Sequence, residues 1–188
     1  MKRLSIIGLL IGLASQTFAQ TYADHSALSQ GRWVRMAITQ DGPYELDAAF
    51  LQEAGFDVGS LDPRQIRMFG RPGGMLPQAN DVERPDDMPE LAIVVTGEGD
   101  GVFNSGDRVL FFAQGAHGLT YNSESEQYAH EYNLYSDTSY YYLTVGPGNG
   151  MRVEEAADPG PSTFTSESNR AIFWHEVERE NLLKSGRF

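Results

Sequence analysis

Between Thr96 and Asp107 the sequence TGEGDGVFNSGD sets Glu98, Asp100, Asn104 and Asp107 at its third, fifth, ninth and twelfth places, with Gly101 at the sixth. A twelve-position calcium loop uses that spacing, because several hard oxygens must converge behind a glycine turn. The first place, however, holds Thr96 rather than an aspartate, and no helical pattern leads into the segment. A turn with acidic caps between two apolar strands accounts for the same residues. Calcium and a purely structural turn therefore both stand as readings, and no other cofactor is expected.

The second candidate is aromatic. Seven of the nine tyrosines fall between Tyr121 and Tyr142, and Tyr128, His130 and Tyr132 recur at a spacing of two. On a strand that spacing puts all three on one face. Tyrosine platforms on sheets either stack against sugar rings or pack as core, and Tyr121, Tyr135 and Tyr140 to Tyr142 belong to the same neighbourhood. Tyr128, His130 and Tyr132 are thus the candidate ligand surface, with packing as the competing reading. The histidines His25, His117, His130 and His175 show none of the close spacings that place two metal ligands on one helical turn. Neither a glycine-flanked nucleophile serine nor a phosphate-loop Gly-Lys-Ser/Thr accompanies them. Gly70, Gly73 and Gly74 do not lead into a helix, so they are not a phosphate cradle. The sequence contains no cysteine, which excludes disulfides, thiolate metal sites and a thiol nucleophile.

These residues are carried mostly by short strands. GRWVRMAITQDGPYEL alternates from Gly31, and Asp41-Gly42 predicts a hairpin returning through Tyr44 and Leu46. Asp47 is placed to cap a short helix through Ala48, Phe50, Leu51 and Ala54, with Gly55 to end it. Further strands are predicted at Gln65 to Gly70, Leu91 to Thr96, Arg108 to Ala113, Tyr128 to Tyr132, Tyr140 to Val145 and along MRVEEA from Met151. Asn122-Ser123-Glu124 opens a hairpin into the fourth of these. Pro, Gly and Asp crowd the loop after Gly70. Seven or eight strands and one helix predict a mainly β fold, a sandwich-like antiparallel domain with one short helix.

The N-terminus gives the compartment. MKRLSIIGLLIGLASQTFA has a basic start, an apolar run from Leu4 to Leu13 and a small-residue exit at Ala19, the pattern of a secretory signal over residues 1–19. Ten apolar residues fall short of the roughly 20 that span a bilayer, so no transmembrane segment is expected once the signal is removed. With no cysteine at the cut, an N-terminal lipid anchor is not expected either. Removal leaves 169 residues, 188 less 19, and takes two of 14 basic and none of 26 acidic side chains, moving the net charge from -12 to -14. Such a field repels a polyanion, so nucleic acid is not an expected partner. The remaining divisions are a β-rich domain over 20–157, a linker-like segment at 158–170 and the start of a further element at 171–188.

Taken in order, GRWVRMAITQDGPYEL, QIRMFGRPGGMLPQ, GEGDGVFNSGDRVLFFAQG, the Tyr128 to Ser136 region and YYYLTVG resemble the N-terminal region of PorU-type sortases of the type IX secretion system. These are relatives of the gingipain-type cysteine peptidases. The resemblance runs from about Gly31 onwards. It implies a much longer exported protein acting at the outer membrane or cell surface. Such a protein cleaves C-terminal signal domains from cargo and attaches the cargo to the surface, using a cysteine and a histidine in a separate α/β domain. This chain has no cysteine, so no catalytic residue carries over to it. The expectation is a noncatalytic N-terminal domain, truncated before the catalytic one, with a positioning or docking role. Its partners would be its own catalytic domain, secretion components or cargo, located in the periplasm, outer membrane or cell surface. The alternative is a stand-alone exported domain that binds surface polysaccharide or the cell surface through its tyrosines.

Overall fold

Alternation of apolar and polar residues fixes which face of each strand turns inward, and packing then decides which sheet each strand joins. The computed structural model describes residues 22–158 apart from Pro72, together with Gly160, Pro161 and Ser168. The expected signal at 1–19, most of the expected linker at 158–170 and the element expected from 171 onwards lie outside the described residues. Among the described residues nine strands form three antiparallel sheets: β1 (Val34–Ile38), β2 (Gly42–Leu46), β3 (Ile66–Gly70), β4 (Glu90–Leu91), β5 (Val94–Val95), β6 (Val109–Ala113), β7 (Gly118–Asn122), β8 (Gln127–Glu131) and β9 (Ser139–Val145). The first sheet runs β1-β9-β3-β4, the second β2-β6-β5, and β7 with β8 makes a separate hairpin. The architecture of the described residues is mainly β and sandwich-like, with one short α-helix, α1 (Ala48–Glu53).

The core lies between the first two sheets. Ile66 and Met68 of β3 and Tyr141 and Leu143 of β9 meet Val109, Phe111 and Ala113 of β6 and Leu46 of β2 in one buried cluster. Leu51 of α1 seals one side of it, fully buried. Asp47 caps that helix, its Oδ1 accepting from the Phe50 N–H at 2.8 Å. Gly55 follows its end with a φ of 84° that a β-carbon would disfavour. Tyr141 acts as a rivet between the sheets. Its hydroxyl accepts from the Gln114 N–H at 2.8 Å and donates to the Gln114 carbonyl. Its ring occupies the space where a β-carbon on its register partner Gly70 would stand, 2.5 Å from Cδ1. Burial pushes the Tyr141 hydroxyl above its ordinary titration range.

The structure departs from three expectations. Strands β1 and β2 do not form a hairpin. Val34 to Ile38 pair with Leu143 to Ser139, whereas Gly42 to Leu46 pair with Ala113 to Val109, so the chain changes sheets at Asp41. Asp41 secures that corner by accepting from the Gly115 N–H at 2.7 Å. The single strand expected from Leu91 to Thr96 is likewise split, β4 joining the first sheet and β5 the second. Ile93 between them is fully buried. The strand expected along MRVEEA is reduced to one parallel bridge between Arg152 and Ile93. In the first two cases the residue pattern reports burial, and burial is the same whichever sheet supplies the partner, whereas Met151 and Val153 of the third stay exposed.

At the β3–β4 edge Arg67 forks onto Glu90, with Nε 3.1 Å from each carboxylate oxygen, and Glu90 Oε1 accepts from the Met151 N–H at 2.9 Å. Burial works to raise the Glu90 carboxyl, but Arg67 and the Met151 amide outweigh it and hold the carboxyl below its ordinary range. A depressed carboxyl contributes stability above its unfolded value, and that contribution is lost as the pH falls through the folded one. Thermal melts should therefore show Glu90→Gln less stable than the parent at about pH 7, with the gap narrowing toward about pH 4. A gap independent of pH would refute this role for the Arg67–Glu90 pair.

Candidate functional site

The acidic segment is a closed turn. Gly97 and Gly101 adopt φ of 76° and 78°, bracketing a short 3-10 turn at Glu98–Asp100. Asp107 is buried, and its Oδ2 accepts from the Asn104 N–H at 2.7 Å. Asp100 accepts from the Val102 N–H through Oδ1 and from Asn104 Nδ2 through Oδ2, both at 3.0 Å. Thr96 Oγ1 accepts from the Arg108 N–H at 2.8 Å, tying the two ends. The structure thus gathers Asp100, Asn104 and Asp107, while Glu98 turns away to Arg152, with Oε2 2.8 Å from Nε. Among the described residues no three histidine or carboxylate groups stand as a metal-holding cluster.

The tyrosine hairpin is nearly all exposed. Asn122 starts its turn as expected, its Oδ1 accepting from the Glu124 and Ser125 amides at 2.9 and 3.0 Å. Register sets Tyr121 opposite Tyr128, their ring centres 4.8 Å apart. His130 and Tyr132 meet edge to face at 5.2 Å, and both stand against His117, at 5.9 and 4.2 Å respectively. The three residues singled out in the sequence are therefore divided between two ring clusters. His117, which spacing alone did not connect to them, anchors the second. Its Nδ1 accepts from the Asn133 N–H at 3.1 Å and its Nε2 faces Asp137 at 3.3 Å.

Through Asn133 that cluster reaches a concave part of the surface. Asn133 Oδ1 accepts from the amides of Tyr135 and Ser136 at 2.9 and 3.2 Å, and Ser136 Oγ donates to the Thr138 carbonyl at 2.8 Å. The resulting pair of turns forms one wall of a cleft of about 470 Å³. Tyr140 and Tyr142, from the face of β9 opposite the core, continue the wall, and Met75, Leu76 and Met88 come from the long loop after β3. Leu134 donates its N–H to Met75 Sδ at 3.3 Å, joining the two contributors. Asp87, next to Met88, is held ionised below its ordinary range chiefly by the Ala27 N–H, then by the Met88 N–H and the Ser26 hydroxyl. Its charge is therefore spent within the protein. Arg71 also lines the cleft.

The fold and this surface define a small, mainly β domain with a tyrosine-walled cleft and no cysteine. Among solved structures, the crystal structure of dimeric latent PorU from Porphyromonas gingivalis matches with a TM-score of 0.57 and 28% identity, over 75% of this chain and 12% of that one. The fold is thus PorU-like, in agreement with the resemblance read from the motifs. The chain corresponds to only a small part of the length of PorU. No known protein family matches the sequence, and no curated protein does. Among the described residues no helix is long and apolar enough to cross a membrane.

Proposed function

We propose that this chain is the N-terminal, noncatalytic domain of a PorU-type sortase, and that it positions the peptidase part of a longer protein or docks cargo and secretion components. The observation that carries this reading is the PorU-like fold at 28% identity over 75% of the chain. The ordered motifs from Gly31 to Val145 support it independently. The parent would be exported to the cell surface, where it removes C-terminal signal domains from cargo. With no cysteine, this chain cannot itself perform a cysteine-peptidase step. In-frame excision of residues 31–157 from the parent gene should leave cargo uncleaved on an immunoblot, and unchanged processing would overturn the positioning role. Purified residues 20–188 should cleave no peptide. A second reading, a separate surface-binding domain, draws on the exposure of Tyr121, Tyr128 and Tyr135, at 50%, 49% and 78%.

A further inference from the structure

The molecule is acidic overall, yet the outer face of the first sheet is lined with arginines and rings. Arg35 lies over Tyr140 at 4.8 Å and Arg67 over Phe69 at 5.0 Å. Strand β9 carries Tyr140 and Tyr142 from this face directly into the cleft. Among the described residues carboxylates neutralise Arg64 (Asp62), Arg67 (Glu90), Arg108 (Glu45) and Arg152 (Glu98), while Arg32 and Arg84 donate to backbone carbonyls and Arg35 lies over the Tyr140 ring. Arg71 lines the cleft without such a partner. Half-buried at the cleft, it makes no hydrogen bond or ion pair with any described residue. A guanidinium left unmatched in a protein of net charge -12 is a ready partner for an anion.

The rest of the lining narrows the ligand. Met75, Leu76 and Met88 with the tyrosine rings present mostly apolar surface, which suits an aliphatic or aromatic body better than a polyhydroxylated sugar. Met side chains adapt to such bodies and favour aromatic rings. The Ser139 hydroxyl supplies a further polar group in the lining, whereas that of Ser136 is engaged with Thr138. A volume of about 470 Å³ falls within the range of small-molecule sites.

We propose that this cleft binds a small apolar carboxylate, with the ligand's hydrocarbon body against Tyr140, Tyr142 and the methionines and its carboxylate on Arg71. The ligand chemistry is common to a free carboxylic acid and to the C-terminal residue of a peptide. The proposal does not rest on the kinship to PorU, and its test involves no secretion or peptidase readout.

The test is titration of the purified chain, followed by NMR, with 3-phenylpropionate and with its neutral counterpart 3-phenylpropanol. The acid should bind about tenfold more tightly than the alcohol and should shift the ring signals of Tyr135, Tyr140 and Tyr142. Arg71→Gln should remove that preference and leave the alcohol unchanged, while Arg71→Lys should retain part of it. N-acetyl-glycyl-phenylalanine and its amide separate the two sources: acid binding well above that of the amide, and tighter than 3-phenylpropionate, assigns the site to peptide ends. Equal binding of acid and alcohol to the parent chain would overturn the proposal even if Arg71→Gln failed to fold. Ring shifts confined to Tyr121 and Tyr128, or no saturation by 3-phenylpropionate at about 10 mM, would also overturn it.

Discussion

Gly97→Ala should destabilise the domain by about 2–5 kcal/mol, lowering the melting temperature by roughly 5–20 °C. Two costs combine. The φ of 76° at Gly97 lies in the left-handed region, where a β-carbon adds about 1–2 kcal/mol. That β-carbon would also stand 1.7 Å from Asp107 Oδ1. The Asp107 side chain would have to leave, and it is buried and holds the Asn104 amide. Stripping that amide of its acceptor and displacing a carboxylate adds about 1–3 kcal/mol. Gly99→Ala, two residues on, is the control: nothing lies within 4 Å of its added carbon and its backbone is not left-handed, so a change within about 0.5 kcal/mol is expected. Comparable losses in thermal melts of both variants would refute the idea that close approach of Asp107 is what requires glycine.

Arg152→Ala should cost about 2–4 kcal/mol, although an ion pair near a surface ordinarily contributes at most about 1 kcal/mol. The excess comes from the backbone. Arg152 Nη2 donates to the carbonyls of Pro63 and Arg64 at 2.9 and 3.0 Å, and Nη1 donates to the Ile66 carbonyl at 3.2 Å. Its own backbone segment is latched to Ile93, whose N–H donates to the Met151 carbonyl and whose carbonyl accepts from the Val153 N–H. One side chain thus ties the entry to β3 to the strand switch at Ile93. Glu98→Gln removes only the ion pair and should cost under about 1 kcal/mol by chemical denaturation. Equal losses for the two variants would show that the ion pair, and not the carbonyl contacts, is what matters.

Both predictions fall where the sequence is hardest to read. Local chemistry was legible: the Asp47 cap, the Gly55 stop, the Asn122 turn and the alternation that buries Ile38 and exposes Arg35 each depend on residues a few places apart. Choice of sheet was not, because β1 finds its partner more than a hundred residues later and β2 turns to β6. The Leu91 to Thr96 run reads as one strand for the same reason. Ile93 is apolar in either arrangement, and the division shows only in the long-range partners, β3 for β4, β6 for β5 and Arg152 for Ile93 itself. At the candidate sites the tyrosines were visible as a cluster, yet their sorting into a Tyr121–Tyr128 pair, a His117 cluster and a cleft wall follows from register and long-range contacts. Arg71, Met75, Leu76 and Met88 sit in a loop whose composition signals only a turn-rich connection. What could have flagged Arg71 is its place beside the end of β3, in a chain otherwise short of positive charge.

The account rests most heavily on this chain being one domain of a larger PorU-like sortase. The direct measurement is the mass and peptide sequence of the native product, isolated from its source with an antibody raised against residues 31–157. The account predicts a mass far above the 20.8 kDa of these residues, with a cysteine and a histidine in a following α/β region of the same polypeptide. A native product whose mass equals that of residues 20–188 would contradict it, and would make the chain an exported binding domain in its own right.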